Sequence, residues 1–215
     1  MSFRSNLGLL AGGFCFGLLS LGTANASTVS YSGTFSGDDQ VQLYSYTLSH
    51  ASNVVFSTDS YGGGVSNGVS IPAGGFVPVL SLFNSMGNEI ASDGGDATCY
   101  AGMKADPATS MCDDAYLNEN LAAGSYTVAL TEFFNVPVGP NISDGFLEQG
   151  QGNFTGATCG TTGAFYETDT ATCSQRTGAF SLNITTTPEP STLWLGAIPL
   201  IAFGVVRRRA QRIQN

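Results

Sequence analysis

Apolar and polar residues alternate along most of this chain, in short runs parted by glycine and asparagine. Thr28 to Phe35 sets Val29, Tyr31 and Phe35 on one side and Ser30, Ser32 and Thr34 on the other, the pattern of a half-buried strand. Gly37-Asp38-Asp39 turns it, and Val41 to Leu48 and Asn53 to Ser57 follow as strands. Tyr61 to Gly75 reads as a long Gly/Ser loop. Phe76 to Phe83 is the most apolar strand, with Pro78 pointing to an edge position or a strand beginning. Asn84-Ser85-Met86-Gly87 turns it into a short return through Glu89-Ile90-Ala91. Ser92 to Glu119 is polar loop around Cys99 and Cys112, with a strand starting at Tyr116. Ala122-Ala123-Gly124 then leads into Ser125 to Thr131, with Tyr126, Val128 and Leu130 inward. Pro137 to Thr177 is a second irregular insertion holding Cys159 and Cys173, and Ala179 to Thr185 is the last strand. No stretch between the two ends keeps a helical period. The pattern predicts an all-β fold, a single β-sandwich over residues 27–186.

The two ends break the alternation. Met1 to Ala26 has Arg4, an apolar run from Leu7 to Leu21, and Ala24-Asn25-Ala26 as a small-x-small cleavage site, so a secretory signal peptide is expected there. Cys15 sits inside the apolar run behind Phe14, which does not fit a lipoprotein signal. At the other end, Leu193 to Val206 is uncharged and apolar, closed by Arg207, Arg208 and Arg209. That is the order of a helix that enters a bilayer and stops, with its arginines on the cytoplasmic side. Its helical length is only about 21 Å against roughly 30 Å of hydrocarbon, a marginal span. A plain tail anchor or a buried terminal helix are the alternatives.

Pro188-Glu189-Pro190, then the short apolar segment, then the arginine cluster closely resembles the PEP-CTERM sorting signal of bacterial exported proteins. The resemblance implies recognition of the tripeptide by an exosortase-type membrane transpeptidase and removal of segment 187–215. A second resemblance covers most of Gly33 to Thr185. GDDQVQLYSYTLS, GFVPVLSLFNSMGNEIA and LAAGSYTVALTEF are similar to bacterial pre-peptidase C-terminal domains, which implies a jelly-roll-like sandwich. Asn84 stands where that pattern usually has Asp.

Charge narrows the partners. Residues 27–187 hold 15 Asp and Glu against Lys104 and Arg176 alone, a balance of −13. A nucleic-acid partner, which must be met with Lys and Arg, is therefore not expected. Four cysteines in an exported stretch favour disulfides over metal thiolates. Their separations favour Cys99–Cys112 with Cys159–Cys173 among the three possible pairings. Each bridge would contribute about 3 kcal/mol through loop closure.

Little else points to chemistry. Gly64-Val65-Ser66-Asn67-Gly68 fits the spacing of a serine-hydrolase elbow, but in a β context and with the one histidine, His50, ahead of the serine. No catalytic residues are assigned. Asp93, Asp96, Asp113 and Asp114 flank the first cysteine loop and form a candidate calcium set, with solvated acidic loops as the alternative; no other cofactor is expected. Tyr44, Tyr46, Tyr61 and Tyr100 are candidates for a sugar platform. The expectation is a non-enzymatic, exported surface or extracellular-matrix protein. It would be held transiently in the inner membrane, cut by signal peptidase and an exosortase-type enzyme, with exopolysaccharide as a possible partner. A carbohydrate- or ligand-binding secreted module and a secreted hydrolase remain as alternatives.

Overall fold

The structure is a computed structural model that describes residues 26–95, 98–100, 102–168 and 172–188. The expected signal peptide, Asp96, Glu189, Pro190, the apolar run 193–206 and Arg207 to Arg209 lie outside the described residues.

Ten strands form among them: β1 (Ser27–Thr34), β2 (Gln42–Leu48), β3 (Ser52–Asp59), β4 (Gly64–Ser66), β5 (Val69–Ile71), β6 (Pro78–Phe83), β7 (Glu89–Gly94), β8 (Tyr116–Leu121), β9 (Gly124–Glu132) and β10 (Ala179–Pro188). A 3-10 turn (Ile142–Asp144) and one short helix, α1 (Phe154–Thr158), lie in the second insertion. Eight strands make two antiparallel four-stranded sheets, ordered β1-β10-β3-β8 and β2-β9-β6-β7. The fold is the expected jelly-roll-like sandwich with two long disulfide-stapled loops, Cys99–Cys112 and Cys159–Cys173.

Alternation decides which side chains enter the core. Val54 and Phe56 of β3, Leu80 and Leu82 of β6, Val128 and Leu130 of β9, and Leu182 and Ile184 of β10 are all fully buried between the sheets. At about 25 cal/mol per Å² of apolar surface, each contributes on the order of 2 kcal/mol. Along the edge where β1 faces β2, Tyr31 and Tyr44 pack with ring centroids 4.6 Å apart and planes tilted by 39°. Val29, expected inward, stays 43% exposed, because β1 is an edge strand with β10 as its one ladder partner. Pro78 is a strand beginning, opening β6 in the interior of its sheet where an edge was the alternative.

Two further departures concern loops. The expected 61–75 loop contains the β4–β5 hairpin, closed by Asn67 and Gly68 at φ +48° and +80°. Left-handed φ at both central residues is the turn that an Asn-Gly pair favours in a two-residue hairpin. The last strand also runs three residues beyond the expected Thr185, to Pro188 opposite Ser52.

The sandwich has two unlike ends. Residues 35–41, 60–77, 95–115 and 133–178 leave the strands at one end, where β1 stops and β10 starts. The opposite end carries tight turns and both exits of the domain, with Ser27 paired to Thr186. The 133–178 insertion is tied back by Asp38, which is wholly buried. Its carboxylate accepts from the backbone N–H of Phe154, Thr155 and Phe165 and from the Thr155 hydroxyl. Asp38→Ala leaves these donors buried and unanswered, at about 1–3 kcal/mol each. The chain should melt well below wild type by calorimetry, with protease cleavage appearing first inside 150–168.

Candidate functional site

At the loop-bearing end, the two disulfide loops meet on Arg176. Its guanidinium pairs with Asp106 at 2.8 Å, with Glu167, and with the Tyr61 hydroxyl at 2.9 Å, and lies 4.2 Å above the Tyr61 ring. All four side chains are nearly inaccessible. Burial alone would raise Asp106, but hydrogen bonds from Arg176, Ala108 and Thr109 hold it below the usual carboxylate range. Burial, with a hydrogen bond to Glu167, pushes the Tyr61 hydroxyl up. The adjoining space is about 10 Å³, roughly one water. This cluster cross-links two insertions and has no room for a ligand. Nothing in the sequence alone marked Arg176 for it beyond its being one of two basic residues in an acidic domain.

The candidate calcium residues are placed differently from one another. Asp114 is buried, and Oδ1 accepts from the Thr58 hydroxyl and from the N–H of Ser60 (2.7 Å) and Tyr61 (3.2 Å), while Oδ2 accepts from Gly62 N–H at 2.8 Å. Gly62 is required there, since a Cβ would stand 1.7 Å from the Lys104 carbonyl oxygen. Asp93 Oδ2 accepts from Tyr116 N–H at 2.7 Å, joining β7 to β8 across the sheets. Among the described residues, no three His, Cys, Asp or Glu side chains are grouped to hold a metal.

Ser66 of the elbow-like motif is 2% exposed and donates to Asn183 Oδ1 at 2.6 Å. The exposed His50 contacts the Ser49 hydroxyl at 2.9 Å, at the end of β2. The motif is thus a hairpin lying on the outer face of β10. The candidate sugar platform is likewise dispersed: Tyr61 is buried, Tyr44 and Tyr46 pack against the core, and Tyr100 stacks on Tyr116 at 4.6 Å.

An open groove lies elsewhere, on the outer face of the β2-β9-β6-β7 sheet. The chain from Phe133 to Pro140 descends beside β7 until Glu89 N–H donates to the Pro140 carbonyl, and Phe146 packs on Phe83 and Ala129 below it. Between this segment and β6–β7 remains a groove of about 400 Å³. Val79, Ser81 and Ser92 form its floor, Phe133 and Val136 its wall, and Glu89 lines it as well. Ser81 is 2% exposed and its hydroxyl has no hydrogen-bond partner. Sequence pattern missed this site, because Ser81 falls on the outward phase of an otherwise apolar strand.

These features define, among the described residues, an all-β, disulfide-stapled sandwich with an open groove on a sheet face. No protein-family profile matches the chain, and no curated protein is similar to it in sequence. Among solved structures it is similar to the pre-peptidase C-terminal domain of a collagenase from Bacillus anthracis. Identity is 13% over 74% of this chain and 87% of that one, with a TM-score of 0.34.

Burial raises the Asp114 carboxyl to about 6, against the opposing hydrogen bonds from Gly62, Thr58 and Ser60. An unfolded Asp titrates near 4, so the folded state holds this proton more tightly. The stability this group contributes is present below about pH 4 and is lost as pH rises through 6, on the order of 2–3 kcal/mol. Asp114→Asn keeps one acceptor but turns an amide toward the donors, and should cost about 3 kcal/mol or more. Urea denaturation between pH 4 and 7 should show that component of the slope in wild type and not in the variant.

Proposed function

We propose that this chain is an exported surface or extracellular-matrix protein that acts without catalysis and is sorted through its C-terminal segment. The observation that carries the reading is the unbroken run of β10 to Pro188. The sandwich closes on the first residue of Pro188-Glu189-Pro190, so a processing enzyme meets the tripeptide where the ladder ends. Ser27, beside the expected signal-peptidase site, pairs with Thr186 at the same end. Both cuts would therefore fall on one face of a finished domain and leave its core untouched. Two disulfides suit an oxidising compartment outside the cytoplasm. No helix long and apolar enough to cross a membrane occurs among the described residues. The buried Ser66 hydroxyl, held by Asn183 and away from His50, supports a non-catalytic role.

The partners in this reading are signal peptidase at Ala26 and an exosortase-type transpeptidase at the tripeptide. Residues 193–206 hold the chain in the inner membrane until that cut, with Arg207 to Arg209 inside. Replacing Pro188, Glu189 and Pro190 with alanine leaves the apolar run and arginines intact. The variant should accumulate full-length in the inner-membrane fraction, while wild type appears shorter and outside. C-terminal peptide mapping that finds Arg207 to Arg209 on the wild-type protein at steady state would replace the reading with a plain anchor.

A further inference from the structure

The groove on the β2-β9-β6-β7 sheet carries an inference that rests on the non-catalytic surface reading and gives it a ligand. Three features bear on it, two in the groove and one behind its Phe133 wall. The first is the Ser81 hydroxyl, almost wholly buried on the groove floor with no partner in the protein. A buried hydroxyl without a hydrogen bond is costly, and alanine would serve packing better.

The second feature is backbone strain. Glu132 to Asn135 is a tight turn in which Asn135 N–H donates to the Glu132 carbonyl at 3.0 Å, and its third residue, Phe134, has φ +74°. Left-handed φ at that position calls for glycine or asparagine, and for a bulky residue it is an outlier. Phe165 also has positive φ, but it is buried against Phe76 and its N–H reaches Asp38. Phe134 has no such offset: its ring is 45% exposed, edge-on to Phe133 at 4.5 Å. The turn is forced by Asn135, fully buried, whose amide donates to the Asp39 carbonyl and whose Oδ1 accepts from Glu148 N–H. Strain held in place by its surroundings at an exposed aromatic is a feature of ligand clamps.

The third feature is the groove itself, about 400 Å³ and within the range of small-ligand sites. Hydroxyls on the floor, the Glu89 carboxylate in the lining and the Phe133 ring in the wall, backed edge-on by Phe134, match the two faces of a pyranose, which offers hydroxyl donors and an apolar C–H face. We infer that this groove binds a segment of neutral polysaccharide, one sugar ring stacking on Phe133, which Phe134 backs edge-on, and hydroxyls pairing with Ser81 and Glu89. Anionic glycans are disfavoured by a domain with 15 acidic and two basic residues. A basic peptide would need more carboxylates in the groove than Glu89 supplies, since Asp93 already accepts from Tyr116.

The test is affinity electrophoresis of the full-length chain in a polyoxyethylene detergent, through gels carrying hydroxyethyl cellulose, galactomannan or dextran, with alginate as the anionic probe. Wild type should be retarded by at least one neutral polymer and not by alginate. Phe134→Gly and Ser81→Ala should each weaken that retardation about tenfold while melting at or above the wild-type temperature, because each removes a local cost. A rise in affinity for alginate over the neutral polymers, or displacement of the bound polymer by oligolysine, would overturn the assignment. So would retardation equal to wild type in both variants, no retardation by any neutral polymer, or a Phe134→Gly chain that melts lower than wild type. A chain found outside and processed but never retarded sinks the groove alone. One that is retarded and releases reducing sugar keeps the groove and sinks the non-catalytic reading.

Discussion

Every backbone N–H folded onto the end of a sandwich, away from water, must find an acceptor; backbone carbonyls answer most of them here, and two buried aspartates each accept from three more where the insertions start and fold back. The inter-strand ladders satisfy their own groups; beyond the β4–β5 hairpin the insertions have only isolated bridges. Asp114 collects the chain as it leaves β3, and Asp38 collects the helix α1 region more than a hundred residues away. Each disulfide closes one of these loops on itself, and Arg176 ties the two loops to each other through Asp106 and Glu167. Acidic residues that look like surface charge in the sequence are, at these positions, interior acceptors.

The groove follows from the same arrangement. The 133–149 segment has to cross the outer face of the β2-β9-β6-β7 sheet to reach its bond with Glu89. Phe146 and Ile142 seal the lower part of that face against Phe83 and Ala129. Near the turn at Glu132 the segment stands off from β6, and the Asn135 side chain, anchored in the interior, sets how far. The open space and the strained Phe134 have one cause. A glycine at 134 and an alanine at 81 would relax both costs, so the present residues are those a binding surface favours over a stability optimum.

Much of the sandwich was legible because period-2 alternation has one mechanical meaning in a sheet. Val128 and Leu130, or Leu182 and Ile184, can enter the core in one register and no other. The local cysteine pairs were legible from their spacing in an exported context. Three things were not. The Asn67-Gly68 hairpin carried a clear turn signal, but its three-residue strands are too short for periodicity to show. Asp114 was grouped with its acidic neighbours by proximity in sequence, while its partners lie across the loop at Thr58 to Gly62. Ser81 and Phe133 belong to a site made by juxtaposing a strand face with a loop about fifty residues later. Short-range pattern carries no trace of such a meeting.

The two ends of the domain differ in a way that bears on how it would stand at a surface. Ser27 and Pro188 leave the fold side by side, at the end built from the tight turns 49–51, 84–88 and 122–123. The disulfide loops and the Arg176 cluster occupy the opposite end, a full strand length away, and the groove runs along the side between them. A chain held by either terminus therefore presents its stapled loops outward. The groove lies lateral to both ends, and the ladder itself reaches Pro188. Its sheet face is accessible whether the protein is still tethered or already released. In the proposed reading, binding at that face would then be independent of processing, with retention by a polymer and sorting by the C-terminal segment on separate parts of one small fold.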